Sequence, residues 1–143
     1  MRTLGKHIII ECSGCRPEIL NDLDAVQEIL TNAAIAAKAE VRARAFHRFS
    51  PQGISGVVVI SESHLSVHTW PEYGYAALDI YTCGEKTLPW LACEFVAHSF
   101  GATEVKATEI QRGIEKRTGY FSHKVSEVKE KNDVQDPQMA MVS

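Results

Sequence analysis

The stretch "SGVVVISESHLSVHTWPEYGYAALDIYTCG", Ser55 to Gly84, decides the fold. It opens on a run of β-branched residues, alternates through "LSVHTW", turns at "PEYG" and runs out again as "YAALDIYTC", ending at Cys83. Apolar runs and alternation of this length read as strands, and the Pro and Gly between them read as a turn. Tight connections allow only antiparallel neighbours. At the centre sits "SESH", residues 61–64, directly after the most apolar strand of the chain. A polar group buried without a partner costs about 1–3 kcal/mol, so this cluster needs a reason.

Upstream, "KHIIIEC" reads as a first strand. From Pro17 to about Lys38 the residues Leu23, Val26, Leu30, Ala33 and Ala37 recur at helical spacing and predict one helix. "VRARAFHRF", Val41 to Phe49, predicts a half-exposed strand with Arg42, Arg44 and Arg48 opposite Val41, Ala43 and Ala45. Ser50-Pro51-Gln52-Gly53 predicts a turn. Downstream, Pro89 opens a second helix, "PWLACEFVAHSF", that Gly101 ends, and "ATEVKATEI" gives the last strand.

Past Tyr120 the chain turns polar and charge-mixed, as in "KEKND", which predicts a mobile tail over 121–143 behind a single domain over 1–120. The fold class expected is α+β: a two-layer sandwich of an antiparallel sheet with helices on one face. The other sheet face would need cover, which points to a dimer.

The 143 residues suffice for one well-cored domain. Lys and Arg number 15 against 18 Asp and Glu, with no basic run, which excludes a nucleic-acid partner. The apolar run in "MRTLGKHIIIEC" is too short for a signal peptide or a membrane span. The expected location is cytoplasmic, with Cys12, Cys15, Cys83 and Cys93 as reduced thiols.

Three chemistries compete for these residues. "CSGC", Cys12 to Cys15, lies between a strand and a helix, where a thiol–disulfide oxidoreductase places its C-x-x-C. Successive antiparallel strands argue against the parallel core that such enzymes need. His47, His64, His68, His98 and Cys83 could meet at a metal, but the pair four apart, His64 and His68, falls on a predicted strand rather than a helix, and no metal is expected. Third, Ser63 at a tight bend could attack the carbonyl carbon of Glu62 and turn that peptide into an ester. Loss of the serine α-proton would then cut the chain and leave dehydroalanine, which hydrolyses to a pyruvoyl group. Such a reaction needs a proton acceptor near neutral pKa, and His64 and His68 are close in sequence. Spacing alone favours plain turn residues at a strand end.

Ser55–Gly84, with "FHRF" before it, closely resembles the prokaryotic S-adenosylmethionine decarboxylase proenzyme family, and the likeness runs from about Leu4 to near Ile110. "SESH…HTWPEYGYAALDIYTCG" is long enough to exclude chance. The resemblance implies self-cleavage between Glu62 and Ser63, with Ser63 becoming a covalent pyruvoyl group that forms a Schiff base with substrate, without pyridoxal phosphate. It implies His68 as processing base, Ser55 as a processing hydrogen-bond donor and Cys83 as catalytic proton donor.

Phe49 would stack on adenine and Glu72 hold the ribose hydroxyls, while Trp70 offers a second aromatic face to a sulfonium cation. The activity implied is loss of CO2 from S-adenosylmethionine, giving the aminopropyl donor for spermidine synthesis. Arginine and ornithine decarboxylases on the same scaffold are the alternative. The family's site lies between two chains, which implies a homodimer of cleaved chains in four layers, α/β/β/α. Ser63 and His68 are an odd number apart, so one straight strand would send them to opposite faces: either the chain bends at "SESH", or the base acting on Ser63 comes from a second chain. "CSGC" departs from the family pattern and reads as packed thiols.

Overall fold

The computed structural model describes residues 3–132. Seven strands form one antiparallel sheet: β1 (Gly5–Ser13), β2 (Glu40–Arg48), β3 (Ile54–Ser61), β4 (Ser63–Trp70), β5 (Tyr75–Cys83), β6 (Glu104–Arg117) and β7 (Tyr120–Asn132). Their order is β2-β3-β4-β5-β1-β6-β7, so β1 sits between β5 and β6. The helices are α1 (Pro17–Leu20), α2 (Leu23–Ala36) and α3 (Pro89–Ser99), and a 3₁₀ turn, Pro71–Tyr73, joins β4 to β5.

Period-2 alternation builds the core. Ile8, Ile10 and Cys12 of β1, Leu65 and Val67 of β4, and Leu78 and Ile80 of β5 are buried with Val26, Leu30 and Ala33 of α2 and Val96 of α3. Among the described residues no helix lies on the opposite sheet face. Ile9 is 40% exposed there and Val59 41%. The expected antiparallel sheet with helices on one face is the observed architecture.

Two expectations are corrected. The single helix from Pro17 to Lys38 is two helices, because the Asp22 side chain accepts a hydrogen bond from the Ala25 amide at 3.1 Å and caps α2 afresh. The tail expected from 121 is strand β7 as far as Asn132, paired along β6 from Glu104↔Asn132 to Arg117↔Tyr120. Its polar composition is that of an exposed edge strand. The rest of that segment, 133–143, lies outside the described residues. Among the described residues no helix is long and apolar enough to cross a membrane.

Candidate active site

The two ends of the β3–β4 hairpin carry different chemistry. At its tip only Glu62 separates the strands. Ser63 opens β4 at a φ of 113°, a backbone region that costs a side-chain-bearing residue about 1–3 kcal/mol. Register sets it beside Thr82, one step from the end of β5. Its Oγ shares a hydrogen bond with the Cys83 Sγ at 3.3 Å. A hydroxyl and a thiol are thus held together at a bent chain position.

At the far end Ser55 and His68 face each other across β3 and β4, and the Ser55 Oγ shares a hydrogen bond with His68 Nδ1 at 2.8 Å. Beyond them Trp70 stacks on Tyr75 at 5.1 Å, Glu72 is exposed in the 3₁₀ turn, and Phe49 stands 48% exposed, edge-on to His47. Ser63 and His68 are five steps apart along β4, roughly 16 Å at about 3.3 Å per residue. Within one chain the expected site residues therefore fall into two groups: Glu62, Ser63 and Cys83, and Phe49, Ser55, His68, Trp70 and Glu72.

Between the groups, on the helix-free face, lies a network that sequence reasoning missed. His7 Nε2 and His64 Nε2 each lie 2.7 Å from the same Asp79 oxygen, and the Ser66 hydroxyl donates to the other. Partial burial works to raise the Asp79 pKa, but the hydrogen bonds from His7, Ser66 and His64 outweigh it and hold the carboxyl well below the usual range. Arg112 Nη1 lies 3.1 Å from His7 Nδ1. Arginine can only donate, so Nδ1 accepts and the His7 proton sits on Nε2, aimed at Asp79. His7, His64 and Asp79 offer three ligand atoms within 4.8 Å of one another, but that proton and the Arg112 bond already use the His7 ring. The Tyr81 ring stacks on His7 and lies over Gly5, where an added Cβ would meet it at 2.6 Å.

On the helix side of the tip a cavity of about 890 Å³ opens between the start of β1, the start of α3 and the Cys83 end of β5. Glu62, Cys83, Lys6, Glu85, Trp90 and Glu109 are among its lining residues. It is more acidic than basic, which suits a cationic guest. The remaining thiols sit elsewhere. Cys12 and Cys15 are buried, and the Cys12 thiol is pushed well up by its hydrogen bond with Cys15 and by burial, the reverse of a reactive redox thiol. Burial pushes the Cys93 thiol up to about 12. The oxidoreductase reading of "CSGC" has no support here.

The fold and the tip together define an α+β enzyme with a paired serine and cysteine at a strand end. The sequence profile of the S-adenosylmethionine decarboxylase family matches residues 6–113. S-adenosylmethionine decarboxylase proenzymes of Syntrophomonas wolfei and Moorella thermoacetica are 58% and 59% identical over 114 residues, covering 80% of this chain and 90% and 91% of theirs. The crystal structure of the adenosylmethionine decarboxylase from Aquifex aeolicus VF5 superposes with a TM-score of 0.75 at 30% identity, over 84% of this chain and all of that one. The chain belongs to the S-adenosylmethionine decarboxylase family.

Proposed function

We propose that this chain is the precursor of a pyruvoyl-dependent decarboxylase of S-adenosylmethionine that cuts itself between Glu62 and Ser63. The observation that carries the reading is the Ser63–Cys83 contact, 3.3 Å, at a hairpin tip beside an acid-lined cavity. In processing, the Ser63 hydroxyl adds to the Glu62 carbonyl carbon, the C–N bond breaks as the C–O bond forms, and the freed amine takes the proton. Removal of the Ser63 α-proton expels the Glu62 carboxylate. Water then replaces the nitrogen, released as ammonia, and a ketone remains at position 63. The strained φ of Ser63 is relieved once that residue is no longer tied to Glu62.

Processing needs a base, and the histidine matched to that role lies about 16 Å away along its own strand. A second copy of the chain, laid against the helix-free face so that its Ser55–His68 end meets the β3–β4 tip, would bring the partner's His68 and Ser55 to Ser63, with the cavity opening behind the tip. The same arrangement gives each site the partner's Phe49, Trp70 and Glu72. Aromatic faces suit adenine and a sulfonium cation, and one carboxylate suits two ribose hydroxyls. The pyruvoyl group supplies an electron sink for the bond that releases CO2. Cys83, beside position 63, holds the proton that the product carbon must receive.

Intact-mass measurement under denaturing conditions tests the reading together with CO2 release from carboxyl-labelled S-adenosylmethionine. The expected products are fragments 1–62 and 63–143, and for Ser63→Ala one intact, inactive chain. Cleavage that persists in Ser63→Ala would falsify the processing mechanism. Faster CO2 release from arginine or ornithine would overturn the substrate.

A further inference from the structure

Strand β7 begins at Tyr120, past Gly113, the last residue matched by the family profile. It does more than extend the sheet edge. Glu109 of β6 projects to the helix side, lines the cavity beside Cys83 and is only 7% exposed. A carboxylate that deep is tolerated only when its oxygens are hydrogen-bonded. Trp90 Nε1, from α3, donates to one oxygen at 2.9 Å. The Ser126 hydroxyl of β7 donates to the other at 2.7 Å and lies 3.2 Å from the Glu109 carbonyl. Lys129, also on β7, places its ammonium 4.1 Å from the centre of the Trp90 ring and lies 3.6 Å from a Glu127 oxygen. The two groups of the cavity wall best suited to a sulfonium guest, a carboxylate and an indole, are thus both braced by one strand.

We propose that β7 is an active-site element in this chain, with Ser126 and Lys129 as positioning residues that hold Glu109 and Trp90 in the cavity wall and thereby set substrate affinity. The inference rests on the cavity beside Ser63 and Cys83 being where S-adenosylmethionine is decarboxylated. A wall that grips ground state and transition state alike acts on KM rather than on kcat. Without the Ser126 hydroxyl, Glu109 keeps its Trp90 bond but swings about it. Without the Lys129 ammonium, the Trp90 ring loses the cation fixed over its face.

The test uses full-length enzyme carrying Ser126→Ala, Ser126→Thr, Lys129→Met and, as a control on the same strand, the exposed Lys124→Met. Intact mass establishes self-cleavage in each before kinetics are read. Ser126→Ala should raise KM for S-adenosylmethionine about 2- to 12-fold, the worth of one hydrogen bond, with kcat within about twofold. Ser126→Thr should restore KM, Lys129→Met should change KM and shift tryptophan emission, and Lys124→Met should match wild type. Unchanged KM in both Ser126→Ala and Lys129→Met overturns the proposal. So does a fall in Tm and kcat that Ser126→Thr fails to rescue, since β7 would then serve stability alone. If Ser126→Ala does not fold, Lys129→Met decides by the same readouts. A wild type that cleaves but releases no CO2 defeats the parent reading instead.

Discussion

Asp79 accepts hydrogen bonds from His7, His64 and Ser66, and its pKa is lowered in consequence. The stabilisation it gives is fully present above its unfolded pKa of about 3.9 and is lost as pH falls toward the depressed folded value. Asp79→Asn should lower Tm clearly at pH 7, and the gap between variant and wild type should begin to narrow below about pH 4. Thermal melts across pH 3–7 check this, and a gap that is constant over the range sinks it. The role proposed for Cys83 separates processing from catalysis. Its thiol is expected to act after the chain has been cut, so Cys83→Ala should still yield two fragments while turnover falls about 10²- to 10⁴-fold, the usual worth of a placed acid. The residual reaction should inactivate the enzyme as the proton reaches the wrong carbon. Normal turnover in that variant removes Cys83 from the mechanism.

Strand β3 was legible as an apolar β-branched run, and β4 and β5 by their alternation and by the Pro and Gly that fall between them. The break between α1 and α2 was not, since helical spacing continues through Asn21 and Asp22 and only the cap geometry interrupts it. Asp22→Ala should cost about 0.5–2 kcal/mol in denaturant melts, and Asp22→Asn far less. Strand β7 was hidden by its charges, which belong to a sheet edge as readily as to a tail. Ser63 and Cys83 were readable because the motif that carries them is continuous in sequence. The His7–Asp79–His64 and Trp90–Glu109–Ser126 groups were not, because each depends on which strands become neighbours. The 3₁₀ turn puts Glu72 at an exposed corner. Glu72→Gln should leave cleavage intact and lower kcat/KM for S-adenosylmethionine by roughly 10- to 150-fold, the worth of charged hydrogen bonds. An unaltered kcat/KM would release Glu72 from substrate binding.

The separation of Ser63 from His68 makes a claim about the whole molecule. If each site draws on two chains, a Ser63→Ala chain and a His68→Ala chain are each inert alone. Co-expressed, they should form mixed dimers in which one site keeps both residues. Those dimers should cut the chain that retains Ser63 and recover up to about half of the wild-type activity per dimer. Mixed dimers that form without any cleavage would place His68 in the service of its own chain. A face-to-face dimer would also cover Ile9 and Val59, whose exposure is otherwise unexplained.

If the chain is cut between Glu62 and Ser63 as proposed, the position of β1 between β5 and β6 sets the molecularity of refolding. Fragment 1–62 then holds β1, β2 and β3, and fragment 63–143 holds β4 to β7, so three seams of the sheet, β3/β4, β5/β1 and β1/β6, join different polypeptides. The pieces cannot drift apart while the sheet stands, because β1 is clasped on both edges. Once melted, however, they must find each other by diffusion. The recovery half-time of the cut protein should lengthen with dilution even where the helix-free faces stay apart, while formation of the uncut Ser63→Ala sheet is concentration-independent.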